Sequence, residues 1–354
     1  VDLPHIKRVV VVVGMHRGGT SATTLGLRAL GVELGDDLLA AVPDQNPIGF
    51  FEDNALLEIS EQVLQVLDMK WDTPRVIPPQ AWNNPMLGAL AVTASASIRD
   101  RFDKFPVWGF KNPRTARLLP FWKTVFQRCD RKASYVIALR NPISIAASLQ
   151  RRNQIAPARA HLLWLLHMAE AVVHTRGESR VVVDYDELLL DPRTQFQRIA
   201  GALSLPFPDT NAIALLEAES ALDTDHRRTQ FDPADLEIDH DVSKLSREAF
   251  TLLQSWSRDD PKTTPARIDD RLGELLGRVH SLEPVLRDLA ETDRALHEAK
   301  TQTAKAELRA EQLGMDHELQ RARAEQLGMD HELQRARAEQ LGMDHELQRA
   351  RAEQ

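Results

Sequence analysis

Short β-branched runs separated by longer stretches with helical spacing dominate the hydrophobic pattern of the chain. Four such runs cover residues 8–13, 107–110, 135–139 and 181–183. The first contains five consecutive valines, Val9 to Val13, with no polar alternation, and so predicts a strand buried on both faces. Helical patterns follow: through Leu30 after the first run, through Leu67 after the loop at 46–54, and from Ile143 to Arg152 after the third run. Strands alternating with helices predict an α/β fold, a parallel sheet flanked by helices. In such sheets ligands sit beyond the carboxyl ends of the strands, so the residues that follow each run are the candidates for chemistry.

The C-terminal pattern is different. The unit Arg-Ala-Glu-Gln-Leu-Gly-Met-Asp-His-Glu-Leu-Gln-Arg-Ala begins at Arg309, Arg323 and Arg337 and restarts at Arg351, a period of 14 residues. That is two heptads. With Leu319 at an a position, Ala322, Met329, Ala336 and Met343 fall at d, and Gln326 and Gln340 at a. This predicts a helical, coiled-coil extension that serves as a spacer or as the arm of a homo-oligomer, weakened by its Gln and Ala layers and by one glycine per repeat. His317, His331 and His345 lie 14 residues apart, too far for one metal site on one helix. The segment Pro261 to Pro265 is a linker signal, and residues 268–300 carry a mostly helical pattern. The expected organisation is a main domain over 1–260, a linker and helix over 261–300, and the repeats over 301–354.

Composition narrows the classes. Hydrophobic residues make up 43% of the 354-residue chain and charged residues 27%, enough for a packed core. No apolar run reaches the length of a membrane span; the richest, Leu162 to Val173, is interrupted by His167 and Glu170. The opening Val1-Asp2-Leu3-Pro4 lacks a charged segment followed by a longer apolar one, so no secretory leader is expected. The single cysteine, Cys129, rules out an intramolecular disulfide and any multi-cysteine metal site, and a reducing cytoplasm is the expected compartment. A net charge of −8 offers no general attraction to nucleic acid or anionic membranes. Any anion is then held by cations placed locally.

Gly14-Met15-His16-Arg17-Gly18-Gly19-Thr20-Ser21 follows the valine strand and opens a helix. Glycines permit the tight turn, and successive N–H groups at a helix start cradle an anion. The spacing nearly matches the P-loop, but Thr20 stands where the ATP-binding lysine belongs, and Arg17 supplies a cation three residues earlier. After the third run come Arg140-Asn141-Pro142, with Asn141 suited to cap a helix and Pro142 to its first position. Arg140 is thereby held at a strand edge and Ser148 under two turns into the helix, a guanidinium and a hydroxyl able to grip a phosphate.

His16 to Ser21 resembles the 5′-phosphosulfate loop of PAPS-dependent sulfotransferases, in its bacterial form with arginine in place of lysine. Strand-Arg140-x7-Ser148 is similar to the family's 3′-phosphate signature, and the two motifs occur in the family's order. The resemblance covers roughly residues 8 to 230 and is thin between Asp68 and Phe105. It implies PAPS as co-substrate, 3′,5′-ADP as product, no metal, and a hydroxyl or amine acceptor on a glycan, lipid, peptide or metabolite. It further implies that Lys111, in Lys111-Asn112-Pro113, stabilises the bridging oxygen of the departing group; a surface lysine is the alternative. Tyr185 resembles a tyrosine near the nucleotide, where it packs on or hydrogen-bonds the adenine, and equally fits an ordinary half-buried side chain.

The acceptor hydroxyl needs a base, and the turn-rich loop Asn46 to Asn54 offers Glu52 in an Asn-Pro-x-Gly-x-x-Glu context similar to bacterial members of the family. Capping of the next helix by Asp53 or Asn54, with Glu52 merely near the dipole, is the rival reading. His16 is a second candidate base. His226-Arg227-Arg228 is either a clamp over the 3′-phosphate or a solvated charge run. Two other classes remain open. A P-loop kinase or other NTPase would use Asp184, after the fourth run, as a Mg²⁺-holding carboxylate, and a non-catalytic interaction protein would use the repeats as its working part.

Overall fold

A computed structural model describes residues 7–42, 46, 49–209, 211–222, 231 and 234–352. The four apolar runs become four strands: β1 (Arg8–Gly14), β2 (Val107–Lys111), β3 (Lys132–Leu139) and β4 (Arg180–Asp184). They form one parallel sheet in the order β2-β1-β3-β4. In register, Val9 faces Trp108 on one side of β1 and Ala133 on the other, and the last pair toward β3 is Gly14 with Ala138.

The valine run is buried on both faces, as its uninterrupted apolar character requires. Val9, Val11 and Val13 point into one core layer, and Val10 and Val12 into the other. The first layer packs under helices α2 (Asn54–Val66), α3 (Pro85–Phe102), α4 (Thr115–Arg128), α5 (Pro142–Asn153) and α6 (Pro157–His174). The second layer is covered by α1 (Thr20–Ala29), α7 (Tyr185–Leu190), α8 (Pro192–Leu203) and α9 (Ile213–Ala221). The α/β sheet with helices on both faces is therefore the fold expected from the alternation.

Helix order also locates the crevice. The chain leaves β1 into α1 on one face and leaves the adjacent β3 into α5 on the other. Neighbouring strands whose connections diverge in this way open a gap at their carboxyl ends, where doubly wound sheets bind ligands.

The first unit continues through α10 (Asp235–Ile238), α11 (Lys244–Ser257) and α12 (Pro265–His280), and ends at Arg287. The boundary expected near residue 260 thus lies inside it. Pro265 opens a helix, with Thr264 accepting from the Arg267 N–H as its cap. That helix buries Ile268, Leu272, Leu275 and Val279 in the first core layer. Arg180, on β4, adds a two-pronged contact to Asp269, both oxygens 2.6 Å away. Proline at the start of a helix and proline in a linker look alike in sequence. Burial separates them.

The second unit, from Asp288, is the continuation of the helix α13 (Glu283–Ala352) through the repeats. From residue 301 to 345 its side chains are exposed. No described helix is long and apolar enough to cross a membrane.

Candidate active site at the carboxyl edge of the sheet

Backbone geometry shapes the loop after β1. Gly14 approaches β3 so closely that a Cβ would lie 2.7 Å from the Ala138 carbonyl oxygen. Gly19, at φ +83°, caps α1, and a Cβ there would lie 2.4 Å from the Tyr185 ring. Both positions therefore require glycine. Between them Arg17 takes φ +67°, a left-handed conformation of the kind that accumulates at functional sites. The Thr23 N–H donates to the Gly19 carbonyl at 3.0 Å, so the amides of Thr20, Ser21 and Ala22 lie in the helix's open first turn.

Arg17 meets the second motif directly. Its Nε donates to Ser148 Oγ at 2.9 Å, across 131 residues of sequence. Arg140 donates from its guanidinium to the Arg17 carbonyl at 3.0 Å and lies over the Tyr185 ring, 4.5 Å from its centroid. The turn that carries Arg140 is held by Asn141, which accepts from the Ile143 N–H at 2.9 Å, and by Trp164, whose indole N–H donates to the Arg140 carbonyl at 3.2 Å. Arg140 and Ser148 are buried at the walls of the same cleft as Arg17, Gly19, Thr20 and Ser21. Gly18 is buried.

The other side of the cleft belongs to Glu52 and Lys111. The Lys111 ammonium lies 2.7 Å from Glu52 Oε1, and both side chains are almost fully buried. Arg114 stands 3.7 Å from Glu52 Oε2 and 2.6 Å from Glu61. Burial lowers the Lys111 pKa, and the Glu52 charge opposes that shift. Asp53 accepts from the Leu56 N–H at 3.1 Å as the cap of α2, and also pairs with Arg101. The capping role therefore belongs to Asp53, and the adjacent Glu52 is turned to Lys111. Asn112 accepts from the Arg114 N–H at 3.0 Å and donates to Ser60 at 3.1 Å, holding the turn. Asn46 ties the Glu52 loop to α1 by donating to Ser21 Oγ at 2.9 Å.

His16 also lines the cleft, packed against Trp71 with ring centroids 4.3 Å apart and the planes tilted by 44°. Burial first, then the nearby Arg114, His167 and Lys111, hold its pKa well below the usual histidine value. It is thus neutral at neutral pH, and among the described residues its Nε2 has no hydrogen-bond partner. Two cations escaped the sequence reading, Arg114 and Arg152, both lining the cleft. Arg152 follows Ser148 by four residues on α5, so helical spacing contained the signal. Asp184 accepts from the Asp186 N–H at 2.9 Å as the cap of α7, and burial pushes its pKa up to about 6. The His226-Arg227-Arg228 cluster lies outside the described residues.

Among solved structures, the chain is similar to the sulfotransferase domain of the Synechococcus PCC 7002 olefin synthase, with 16% identity, a TM-score of 0.39, and 78% of this chain and 95% of that one covered. A sulfotransferase domain from the curacin biosynthetic pathway matches at 11% identity and a TM-score of 0.39, over 71% of this chain and 98% of that one. Retinol dehydratase in complex with androsterone and inactive cofactor PAP matches at 16% identity and a TM-score of 0.30, over 72% of this chain and 81% of that one. No family model matches the chain, and no curated protein matches it.

Proposed function

We propose that this chain is a PAPS-dependent sulfotransferase acting on a hydroxyl or amine acceptor. One observation carries the reading: the Arg17 loop and the Arg140–Ser148 pair, 131 residues apart between Arg17 and Ser148, line one cleft in direct hydrogen-bond contact. Two anion-gripping groups so placed suit a nucleotide with charge at both its 5′ and 3′ positions. The open first turn of α1 and Arg17 would take the 5′-phosphosulfate. Arg140 and Ser148 would take the 3′-phosphate, with Tyr185 beside the adenine.

The reaction follows as an in-line displacement at sulfur. Glu52 accepts the acceptor's proton, the freed oxygen or nitrogen bonds to sulfur, and the bond from sulfur to the bridging oxygen breaks. The electron pair stays on that oxygen, and 3′,5′-ADP departs. Lys111 and Arg17 offset the charge that develops there, as preorganised donors do at other developing oxyanions. The 2.7 Å Lys111–Glu52 contact supports a shared role, since binding of the anionic donor would draw the ammonium away and release the carboxylate.

The kinase reading is less well supported, because Thr20 occupies the lysine position and Asp184 is engaged as a buried helix cap. Titration calorimetry separates the two. The sulfotransferase reading expects metal-free 3′,5′-ADP to bind at least about tenfold tighter than ADP, the worth of one charged hydrogen bond. Tighter binding of ATP with Mg²⁺ than of 3′,5′-ADP would overturn it. Incubation with labelled PAPS and cell fractions then identifies the acceptor.

A further inference from the structure

The repeat helix carries an apolar stripe open to solvent. Met315, Leu319, Met329, Leu333, Met343 and Leu347 are each more than half exposed. Helices of this kind draw most of their stability from packing rather than from propensity. We propose that this stripe is the seam of a parallel, in-register, two-stranded coiled coil between two copies of this chain.

Layer composition argues for the register. Along the seam the d positions alternate Met and Ala, and the a positions alternate Leu and Gln. In register, Gln326 and Gln340 meet their own counterparts, and the amides hydrogen-bond each other. A slip of seven residues would set each Gln against Leu and bury an amide without a partner. A polar residue at a is a known device for fixing register.

Charge argues for the direction. Every g position from 318 to 346 is Glu, while the e positions alternate Arg and Asp. Antiparallel helices would bring g against g, Glu against Glu throughout. Parallel helices instead bring Glu318, Glu332 and Glu346 against the partner's Arg323, Arg337 and Arg351. The remaining two, Glu325 and Glu339, would meet Asp across the seam. Among the described residues these two have a cation on their own helix, Arg321 lying 3.3 Å from Glu325 and Arg335 lying 3.6 Å from Glu339. Leu313, Leu327 and Leu341 fall at b and stay outside the seam.

Sedimentation equilibrium of the full chain tests the assembly, and cross-linking tests its direction. The expected mass is twice the 39.9 kDa of one chain. Under mild oxidation Gln326→Cys should give a disulfide-linked dimer, whereas the parent, with only the buried Cys129, should not. A monomer at all concentrations, a higher oligomer, or a dimer that Gln326→Cys fails to link would overturn the proposal. The charge logic has its own test. Arg323→Glu with Arg337→Glu should weaken association by about tenfold or more, from four reversed pairs of a few tenths of a kcal/mol each. Mixing that variant with a Glu318→Lys, Glu332→Lys chain should restore the affinity, since every reversed pair becomes attractive again. Unchanged association of the first variant, with helicity retained, would sink the parallel arrangement.

Discussion

Replacing Glu52 by Gln probes the centre of the cleft, because it removes a charge and almost no volume. Lys111 then keeps its ammonium in a site where only 2% of the side chain is exposed, with its 2.7 Å counter-charge gone. Removing one partner of a buried ion pair costs about 3–5 kcal/mol, a large share of the roughly 5–15 kcal/mol that a folded domain has in total. The pH dependence identifies the cause. Burial already holds the Lys111 pKa below its ordinary value, against the pull of Glu52, and Glu52→Gln lets it fall further. Above that lowered value the unfolded chain binds more protons than the folded one, so the variant gains stability with rising pH until the unfolded lysine titrates near its model value of 10.5. The loss measured by urea denaturation should therefore be greatest near neutral pH and should shrink toward pH ~9–10. Adding Lys111→Met should recover much of it, with the double variant less destabilised than the summed singles by about 2 kcal/mol or more. A loss under about 1 kcal/mol that does not change with pH would refute the buried pair.

Two further outcomes follow from the same geometry. Arg140→Ala should weaken 3′,5′-ADP by about tenfold to a hundredfold in calorimetry, the worth of charged hydrogen bonds, and leave a nucleotide lacking the 3′-phosphate nearly unaffected. An equal loss for both nucleotides would assign Arg140 to holding the Arg17 loop instead. Asp184, with its folded pKa raised to about 6, makes the fold lose stability as pH rises from about 4 to 6, because there the folded state binds the extra proton. Asp184→Asn keeps a helix cap and should flatten that slope, gaining about 1–3 kcal/mol at pH 7; a slope that persists in thermal melts would place its origin elsewhere.

Period and composition made the strands legible. Each of the four apolar runs became a strand, and the run Val9–Val13 was buried on both faces because no polar side chain stood in it to claim a solvent face. Asn141 and Pro142 marked the start of α5 by local capping chemistry, which needs no distant partner. The cleft was partly legible for the same reason, since glycine at Gly14 and Gly19 answers a backbone demand. Arg114 was not, because an arginine after a turn looks the same whether it faces solvent or a site, and Arg152 showed only in its spacing of four residues from Ser148. The end of the first unit was also obscured, as Pro265 signals a break locally but opens a helix whose apolar face is covered by residues far away in sequence.

Secondary structure, the glycine turn and the heptad spacing of the repeats all follow from neighbours within a few residues, and local sterics and periodicity suffice to state them. The pairing of Glu52 with Lys111, the capping role of Asp53, and the meeting of Arg17 with Ser148 depend on the order of strands in the sheet. That order brings the ends of β1, β2 and β3 side by side. Contacts across 59 and 131 residues arise from how layers pack, and no spacing along the chain encodes them.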